Sequence, residues 1–176
     1  MSLDFTASVR RAQAGDPKAF AELYSLVYKD LYRIALLNLN NQHDASDVVS
    51  DTVLEAYSSI TKLRDEKAFK AWITKILTVK IKNKRREYSQ INNFREELDD
   101  LGEDITDTAG EINIDSMNVM EGFRQLSAEE RMVLSLSVVS GYKSEEIARM
   151  TGSSANTVRS KVARAKIKLK QLLAEK

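Results

Sequence analysis

The amino-acid sequence predicts an all-α protein made of two small helical domains joined by an acidic linker. Apolar side chains recur at spacings of three and four along most of the 176 residues, and no segment alternates with period two for long enough to form a strand. Six glycines and one proline are too few for a turn-rich β-sandwich. We expect domains at residues 1–87 and 116–176, with a flexible linker over residues 88–115.

The first domain is predicted to begin with two helices. The short first helix starts near Phe5 and ends before Gly15. Asp16 then caps a second helix, with Pro17 at the first helical position, where its missing N–H costs nothing. One apolar stripe of the second helix faces a core, and it comprises Phe20, Leu23, Tyr24, Val27, Leu31 and Ile34.

Two further helices complete the predicted first domain. Asp44 is the expected N-cap of the third helix, which carries Val48, Leu54 and Tyr57 on its inner side. After a polar connector, a fourth helix is expected from Phe69 to Arg86, with a basic far end. Its apolar stripe comprises Phe69, Trp72, Ile73, Ile76 and Leu77.

Charge is sorted along the chain, although the net charge is only +1. The run EELDDLGEDITDTAGE, residues 96–111, holds eight acids and no base, so the rest carries 27 basic and 18 acidic side chains. Residues 88–115 bury too little apolar surface to offset their ordering entropy, which predicts a linker. Basic side chains concentrate at residues 75–86 and 159–170, a pattern that fits two polyanion-binding modules or two solvated helix faces.

The second domain ends in a predicted helix–turn–helix. Ser127 opens a capping-box helix that stops before Gly141. Ser144 is the expected cap of a helix of about two turns, Gly152 lies in a tight turn, and Ser154 caps a long helix over residues 155–173. A short helix, a glycine-containing turn and a long helix define this DNA-binding motif.

The exposed side of the long helix suits the major groove. Arginine pairs bidentately with guanine, asparagine pairs with adenine, and a small alanine admits a base methyl group. Lysines further along would contact phosphates, whereas the alternative is an amphipathic helix with a solvated basic side. The candidate DNA-binding residues are Asn156, Thr157, Arg159, Ser160, Lys161, Ala163, Arg164 and Lys166.

Both halves contain segments that carry a family resemblance: GDPKAFAELY, DASDVVSDTVLEAY and FKAWITKI in the first domain, and GYKSEEIARMTGSSANTVRSKVARAKIKLKQLL in the second. The first three resemble sigma region 2, and the last resembles sigma region 4. The sequence therefore resembles the extracytoplasmic-function (group IV) RNA polymerase sigma factors of the sigma-70 family. The resemblance implies a transcription initiation factor rather than an enzyme, with region 2 binding the −10 promoter element and region 4 the −35 element.

The resemblance also implies a docking segment for core RNA polymerase between Asp44 and Tyr57. In the family this segment binds the clamp coiled coil of the largest subunit. The implied contacts are Asp47, Val48, Asp51 and Glu55. Carboxylates at the start of this helix would also gain from the helix macrodipole, so the two roles are compatible.

The implied −10 reader is the loop at residues 60–66 and the helix that follows it. Trp72 is expected in the core by its place in the apolar stripe, although a base-stacking role stays open. The sequence departs from the family at Val79, where many members carry Asn, and at Ser50, where Gln is common. The candidate −10 residues are Arg64, Lys75, Lys80, Lys82, Asn83, Lys84 and Arg85.

The implied partners are core RNA polymerase, promoter DNA and an anti-sigma factor, in the cytoplasm and without membrane insertion. No cofactor or metal is expected, since the sequence has no cysteine and a single histidine. No apolar run approaches the ~20 residues of a membrane span. In the family the acidic linker occupies a basic channel of polymerase, and the alternative is a tether whose acids serve solubility.

The family's promoter elements lie roughly 17 base pairs apart, or about 58 Å at ~3.4 Å per step. A fully extended 28-residue linker would reach at most about 95 Å. One alternative is a helix–turn–helix regulator that binds palindromic half-sites without polymerase. A second is a nuclease with Mg²⁺ on Asp99, Asp100, Glu103 and Asp104, although acids in a linker lack the rigid scaffold it needs.

Overall fold

The computed structural model describes residues 4–98, here called the first half, and residues 114–175, the second half. Within these ranges the chain forms α-helices joined by short turns and contains no strand. The helices are α1 (Thr6–Gln13), α2 (Pro17–Leu39), α3 (Gln42–Ser59), α4 (Phe69–Leu98), α5 (Ile114–Arg124), α6 (Ala128–Ser140), α7 (Ser144–Thr151) and α8 (Ala155–Ala174), with 3₁₀ turns at Ile60–Lys62 and Glu66–Ala68. The predicted all-α fold is confirmed.

Three of the predicted N-caps are confirmed by their hydrogen bonds. Asp16 Oδ1 accepts from the backbone N–H of Lys18 at 3.0 Å, beside Pro17 at the first helical position. Ser127 Oγ accepts from Glu130 at 3.1 Å, and Ser154 Oγ accepts from Thr157 at 3.1 Å. Each bond satisfies a donor that the first turn of a helix otherwise leaves free.

Two predicted caps are wrong by one to three residues. Asn41, not Asp44, caps α3, because Asn41 is extended and its Oδ1 accepts from the N–H of Asp44 at 2.9 Å. Lys143, not Ser144, is the N-cap of α7, and Ser144 is the first helical residue. There the Glu146 carboxylate accepts from the Lys143 N–H at 2.8 Å, so an acid three residues later replaces the serine.

Helix α4 continues twelve residues beyond the predicted end at Arg86. Residues 87–98 contain neither Gly nor Pro, so nothing in the sequence stops the helix there. The Tyr88 hydroxyl also donates to the Asp44 carboxylate and ties this part of α4 to α3. Residues 88–98 are therefore helical, and the prediction of a flexible linker is wrong for them. The rest of the acidic run, Asp99 to Glu111, lies outside the described residues.

The first half is a four-helix arrangement around one apolar core. Helix α3 faces α2 and α4 with a stripe that includes Ala45, Val49 and Ala56. Leu54 and Tyr57, predicted on the inner side, are instead 68% and 50% exposed. The stripe they would have joined is filled by smaller side chains, which let α3 lie close to its neighbours. The fully buried side chains of this core include Val9, Leu23, Leu31, Ile34, Phe69, Ile73, Leu77 and Ile81.

The second half packs directly on the first half. Helix α6 lies against α2, and α7 lies against α4. Met132, Leu136 and Ile147 are buried in the same apolar cluster as the core of the first half. Four hydrogen bonds among the described residues cross the contact. Asn38 Nδ2 donates to Ser135 Oγ at 2.9 Å, and the hydroxyls of Thr74 and Tyr142 lie 3.0 Å apart. The other two join Arg85 to the Ala128 carbonyl and Ser140 to Asp30.

Tyr142 gives a testable signature of this contact. Burial raises its pKa to about 12, so above pH 10 the unfolded chain releases a proton that the folded chain keeps. The contribution of neutral Tyr142 to the free energy of unfolding is therefore fully present below pH 10. It falls as the pH rises toward 12, by on the order of 1 kcal/mol per pH unit. Tyr142→Phe should make this fall shallower, and should cost about 1 kcal/mol at pH 7 through the lost hydrogen bond.

The measurement is the free energy of urea unfolding of both proteins between pH 9 and pH 11. Tyr28→Phe, at an exposed tyrosine, is the control and should keep the steep fall. Because burial also raises the pKa of Tyr88, some decline should persist in Tyr142→Phe. Equal slopes for the original protein and Tyr142→Phe would show that Tyr142 is not held between the halves.

Candidate nucleic-acid interface

The turn between α7 and α8 has the geometry that the helix–turn–helix requires. Gly152 ends α7 at φ 70°, a left-handed conformation that a side chain would strain. The Ser153 N–H then donates to the Ala148 carbonyl at 3.1 Å. Buried Ile147 and Val158 pack beneath the turn and fix the crossing of the two helices. The opposite side of α8 is left facing solvent.

Seven of the eight candidate residues on α8 are exposed. Lys161 is the exception: its side chain is 21% exposed, and its Nζ lies 2.5 Å from Glu129 Oε2. Among the described residues, no carboxylate pairs with Arg164, whose Nε donates to the Ser160 carbonyl at 3.3 Å. The exposed candidates are Asn156, Thr157, Arg159, Ser160, Ala163, Arg164 and Lys166.

Arg159 is held in place by neighbours from two helices. Its guanidinium donates to Asn156 Oδ1 at 2.7 Å and forms an ion pair with Glu145 of α7. The pKa of Glu145 is lowered by hydrogen bonds from its own backbone N–H and from Arg159. Arg159 and Asn156 therefore present one hydrogen-bonded unit at the start of α8, the part of a recognition helix that meets base edges.

The candidate −10 residues fall into three groups. Arg64, Lys75 and Asn83 are exposed. Lys80 and Lys84 are paired with carboxylates: Lys80 Nζ lies 2.5 Å from Glu55, and Lys84 Nζ lies 3.1 Å from Glu87 and 3.7 Å from Asp44. The third group, Lys82 and Arg85, lies against the second half.

Lys82 and Arg85 share a cavity with a residue of the other predicted DNA reader. This cavity of about 90 Å³ lies between the halves and is also lined by Lys161. The Arg85 guanidinium donates to the Ala128 carbonyl at 2.8 Å. Candidate residues for the two promoter elements therefore line the same small cavity.

Three of the four predicted polymerase-contact residues are exposed to solvent. Asp47, Asp51 and Glu55 are exposed on α3, but Val48 is 4% exposed and packs in the core, so its predicted contact is wrong. The helical spacing that exposes Asp47 and Asp51 turns Val48 toward α2 and α4. Leu54, which was predicted on the inner side of α3, lies three residues after Asp51 on the same exposed face. That spacing was the signal that could have identified it.

Trp72 and Val79, both on α4, differ in burial. Trp72 is half-buried, packs against the core and lies with its ring 6.1 Å from that of Phe69. This location agrees with the expected core role. Val79 is exposed on α4, and Ser50 is exposed on α3, so both departures from the family lie at the surface.

The described residues contain neither a membrane-spanning helix nor a cluster of metal-binding side chains. In residues 4–98 and 114–175, no helix combines the length and apolarity needed to cross a bilayer. The same ranges contain no group of three or more His, Cys, Asp or Glu side chains arranged to hold a metal ion.

Two family models match the chain in the predicted order. Sigma-70 region 2 matches residues 22–90, and sigma-70 region 4 matches residues 103–169. RNA polymerase sigma factor NccH of Alcaligenes xylosoxydans xylosoxydans is 29% identical over 95% of this chain and 93% of its own length. ECF RNA polymerase sigma factor SigM of Mycobacterium tuberculosis is 27% identical over 91% of this chain and 80% of its own length.

Solved structures share the fold. The sigma factor RpoE, solved with the anti-sigma factor NepR from Bartonella quintana, superposes with a TM-score of 0.75 at 24% identity, covering 89% of this chain and 98% of that one. CnrH, solved with the cytosolic domain of CnrY, gives 0.68 at 22% identity, covering 98% and 97%. With both regions matched in order over more than three quarters of its length, the chain belongs to the sigma-70 family of RNA polymerase sigma factors, in the extracytoplasmic-function group.

Proposed function

We propose that this chain binds core RNA polymerase and directs it to promoters through separate contacts with a −10 and a −35 element. The observation that carries the proposal is the exposed basic face of a complete helix–turn–helix, α7 and α8, in the same chain as an exposed acidic face on α3. One surface fits DNA and the other fits a basic protein partner. Such a factor performs no bond chemistry, and its binding energy makes one DNA sequence open in preference to others.

Helix α8 is proposed as the −35 reader. Asn156 and Arg159 would meet base edges near the start of the helix, with Arg164 one to two turns further along. Lys166 and the lysines after it would contact phosphates, which add affinity without sequence choice. The Glu145–Arg159 pair would help orient the guanidinium before DNA arrives, at the cost of a bond that must be shared or broken on binding.

The exposed face of α3 is proposed as the polymerase-docking surface. Asp47 and Asp51 supply negative charge, and exposed Leu54 between them and the end of the helix supplies an apolar anchor. An apolar side chain surrounded by charges is a common form of interface hot spot, since the charges steer the approach and the apolar group is desolvated. Glu55 lies at the edge of this face, where it holds Lys80.

The two DNA readers are proposed to separate when the chain engages a promoter. Lys82, Arg85 and Lys161 line one cavity, whereas the family's two elements lie about 58 Å apart. Because α4 continues to Leu98 and α5 begins at Ile114, the chain between them reaches at most about 55 Å when fully extended. This reach falls just short of the distance between the elements, so movement of α4 and α5 must supply the rest.

We extend the same proposal to a regulator and a location. The Bartonella quintana RpoE and CnrH structures each contain a partner, NepR and the cytosolic domain of CnrY respectively. By likeness of fold, a protein of the anti-sigma class would bind this chain, and the chain would act in the cytoplasm with polymerase.

Run-off transcription by purified core polymerase, with and without the chain, tests the proposed function. A set of promoters that differ in both elements should give transcripts only when the chain is present, and only from a subset. Binding to palindromic half-sites without polymerase, together with no effect on transcription, would favour a helix–turn–helix regulator and contradict the proposal.

Arg164→Ala tests the role of α8. If Arg164 reads a base, the substitution should cost about 1–3 kcal/mol at one upstream base pair and relax the preference there. Lys170→Ala, on the same helix, should instead weaken all sequences equally and reduce the salt dependence. Competition binding of the holoenzyme to promoters substituted at each upstream position is the measurement. Uniform weakening by Arg164→Ala would show that it contacts only phosphate.

Leu54→Ala tests the docking surface on α3. Removing a desolvated apolar anchor should weaken binding to core polymerase by about tenfold, while the fold stays intact because the side chain is exposed. Leu26→Ala, at a leucine of α2 that is 53% exposed, is the matched control and should bind normally. The measurement is the affinity for core polymerase, by fluorescence anisotropy of the labelled chain. Equal binding by the two variants would contradict the proposal.

A further inference from the structure

Three arginines from both halves line a second cavity at the contact. This arginine cavity has a volume of about 190 Å³ and lies among α2, α4, α5 and α6. Arg85 comes from α4 in the first half, and Arg124 and Arg131 come from α5 and α6 in the second half. The other polar residues of its lining are Asn38, Asn40 and Tyr88.

Two of these arginines are half-buried beside neutral groups. In the part of the chain that the structure describes, neither Arg85 nor Arg131 forms an ion pair. Arg85 donates to the Ala128 carbonyl at 2.8 Å, and Arg131 donates to the Leu126 carbonyl at 3.1 Å. Burial lowers the pKa of both, and the charge of Arg131 lowers that of Arg85 further. Two like charges are thus held close together with only carbonyl partners.

The nearby carboxylates are already engaged with other cations. Glu129 lies near enough to Arg85 to favour its charge, but Glu129 Oε2 is 2.5 Å from Lys161 Nζ. Glu121 pairs with Arg124 at 3.3 Å, on the exposed side of α5. The positive charge within the cavity is therefore only partly balanced by the described residues.

Arg131, which lines the cavity, also carries a donor without an acceptor. Arg131 Nε is buried and has no hydrogen-bond partner among the described residues. Leaving a buried N–H in this state destabilises the fold, and more so when the group is charged. An oxygen placed in the cavity would lie beside the guanidinium groups of Arg85, Arg124 and Arg131, which line it.

We propose that the arginine cavity binds a small phosphate-type oxyanion, such as inorganic phosphate or pyrophosphate, that bridges the two halves. Guanidinium groups bind such anions through paired N–H donors in a fixed plane, which is why arginine is favoured over lysine for this task. The volume holds a compact anion and excludes a DNA duplex.

An anion bound here would oppose the opening that promoter engagement requires. Because its ligands come from both halves, it binds the closed arrangement and loses the contacts of one half when the halves separate. Binding to one of two states stabilises that state in proportion to the difference in affinity. By linkage, opening on polymerase would release the anion. The proposal goes beyond promoter recognition and adds a ligand that controls it.

Isothermal titration of the full chain with pyrophosphate, at constant ionic strength maintained with sodium chloride, tests the proposal. We expect saturable binding of one anion and a shift of the Arg131 Nε–H signal in side-chain NMR. Arg124→Gln should weaken binding at least tenfold, and its exposure makes it compatible with folding, which far-UV circular dichroism checks. Arg86→Gln removes an equal charge from the exposed side of α4 and should bind as the original protein does.

Three outcomes would overturn the proposal. The first is the absence of saturable binding. The second is equal weakening by Arg124→Gln and Arg86→Gln, because the effect would then be general attraction to a basic surface. The third is displacement of pyrophosphate by a short single-stranded oligonucleotide at matched phosphate concentration, which would assign the cavity to DNA. None of these measurements uses polymerase, so failure here is separate from failure of promoter recognition.

Discussion

The apolar packing of α6 and α7 against α2 and α4 holds the two halves of this sigma factor together. Met132, Leu136 and Ile147 are as buried as the interior of the first half, so separating the halves exposes core side chains to water. The contact also brings the proposed −10 and −35 readers to one cavity. Under the proposed function the halves must separate to reach two distant elements, and binding to polymerase and promoter supplies the free energy of opening.

Electrostatics work in the same direction as this packing. Several lysines proposed to contact DNA are engaged with the protein's own carboxylates: Lys80 with Glu55, Lys84 with Asp44 and Glu87, and Lys161 with Glu129. Phosphates must replace these partners, which costs little at exposed pairs and more at half-buried ones. Arg164 and Lys75 have no such competitor among the described residues, so these positions can meet DNA without rearrangement.

The sequence was sufficient for the helices, the helix–turn–helix and the family, because these follow from local spacing and capping. Pro17, Ser154 and Gly152 each stand where the local backbone requires them. The α3 cap and the end of α4 were missed because Asn41 competes with Asp44 and because the Tyr88–Asp44 bond is tertiary. Leu54 was predicted on the inner side of α3, and Val48 both there and among the polymerase contacts, since local spacing cannot show which stripe is covered. The contact between the halves and the arginine cavity join residues about 40 positions apart or more, beyond any local pattern.

The distance between the halves in solution tests the central claim most directly. The natural chain has no cysteine, so labels on Lys18→Cys and Gln171→Cys, both exposed and away from the proposed interfaces, report this distance without interference. The account predicts one short distance in the free chain, and a lengthening by tens of ångströms when core polymerase and promoter are added. An unchanged short distance in an actively transcribing complex would contradict it.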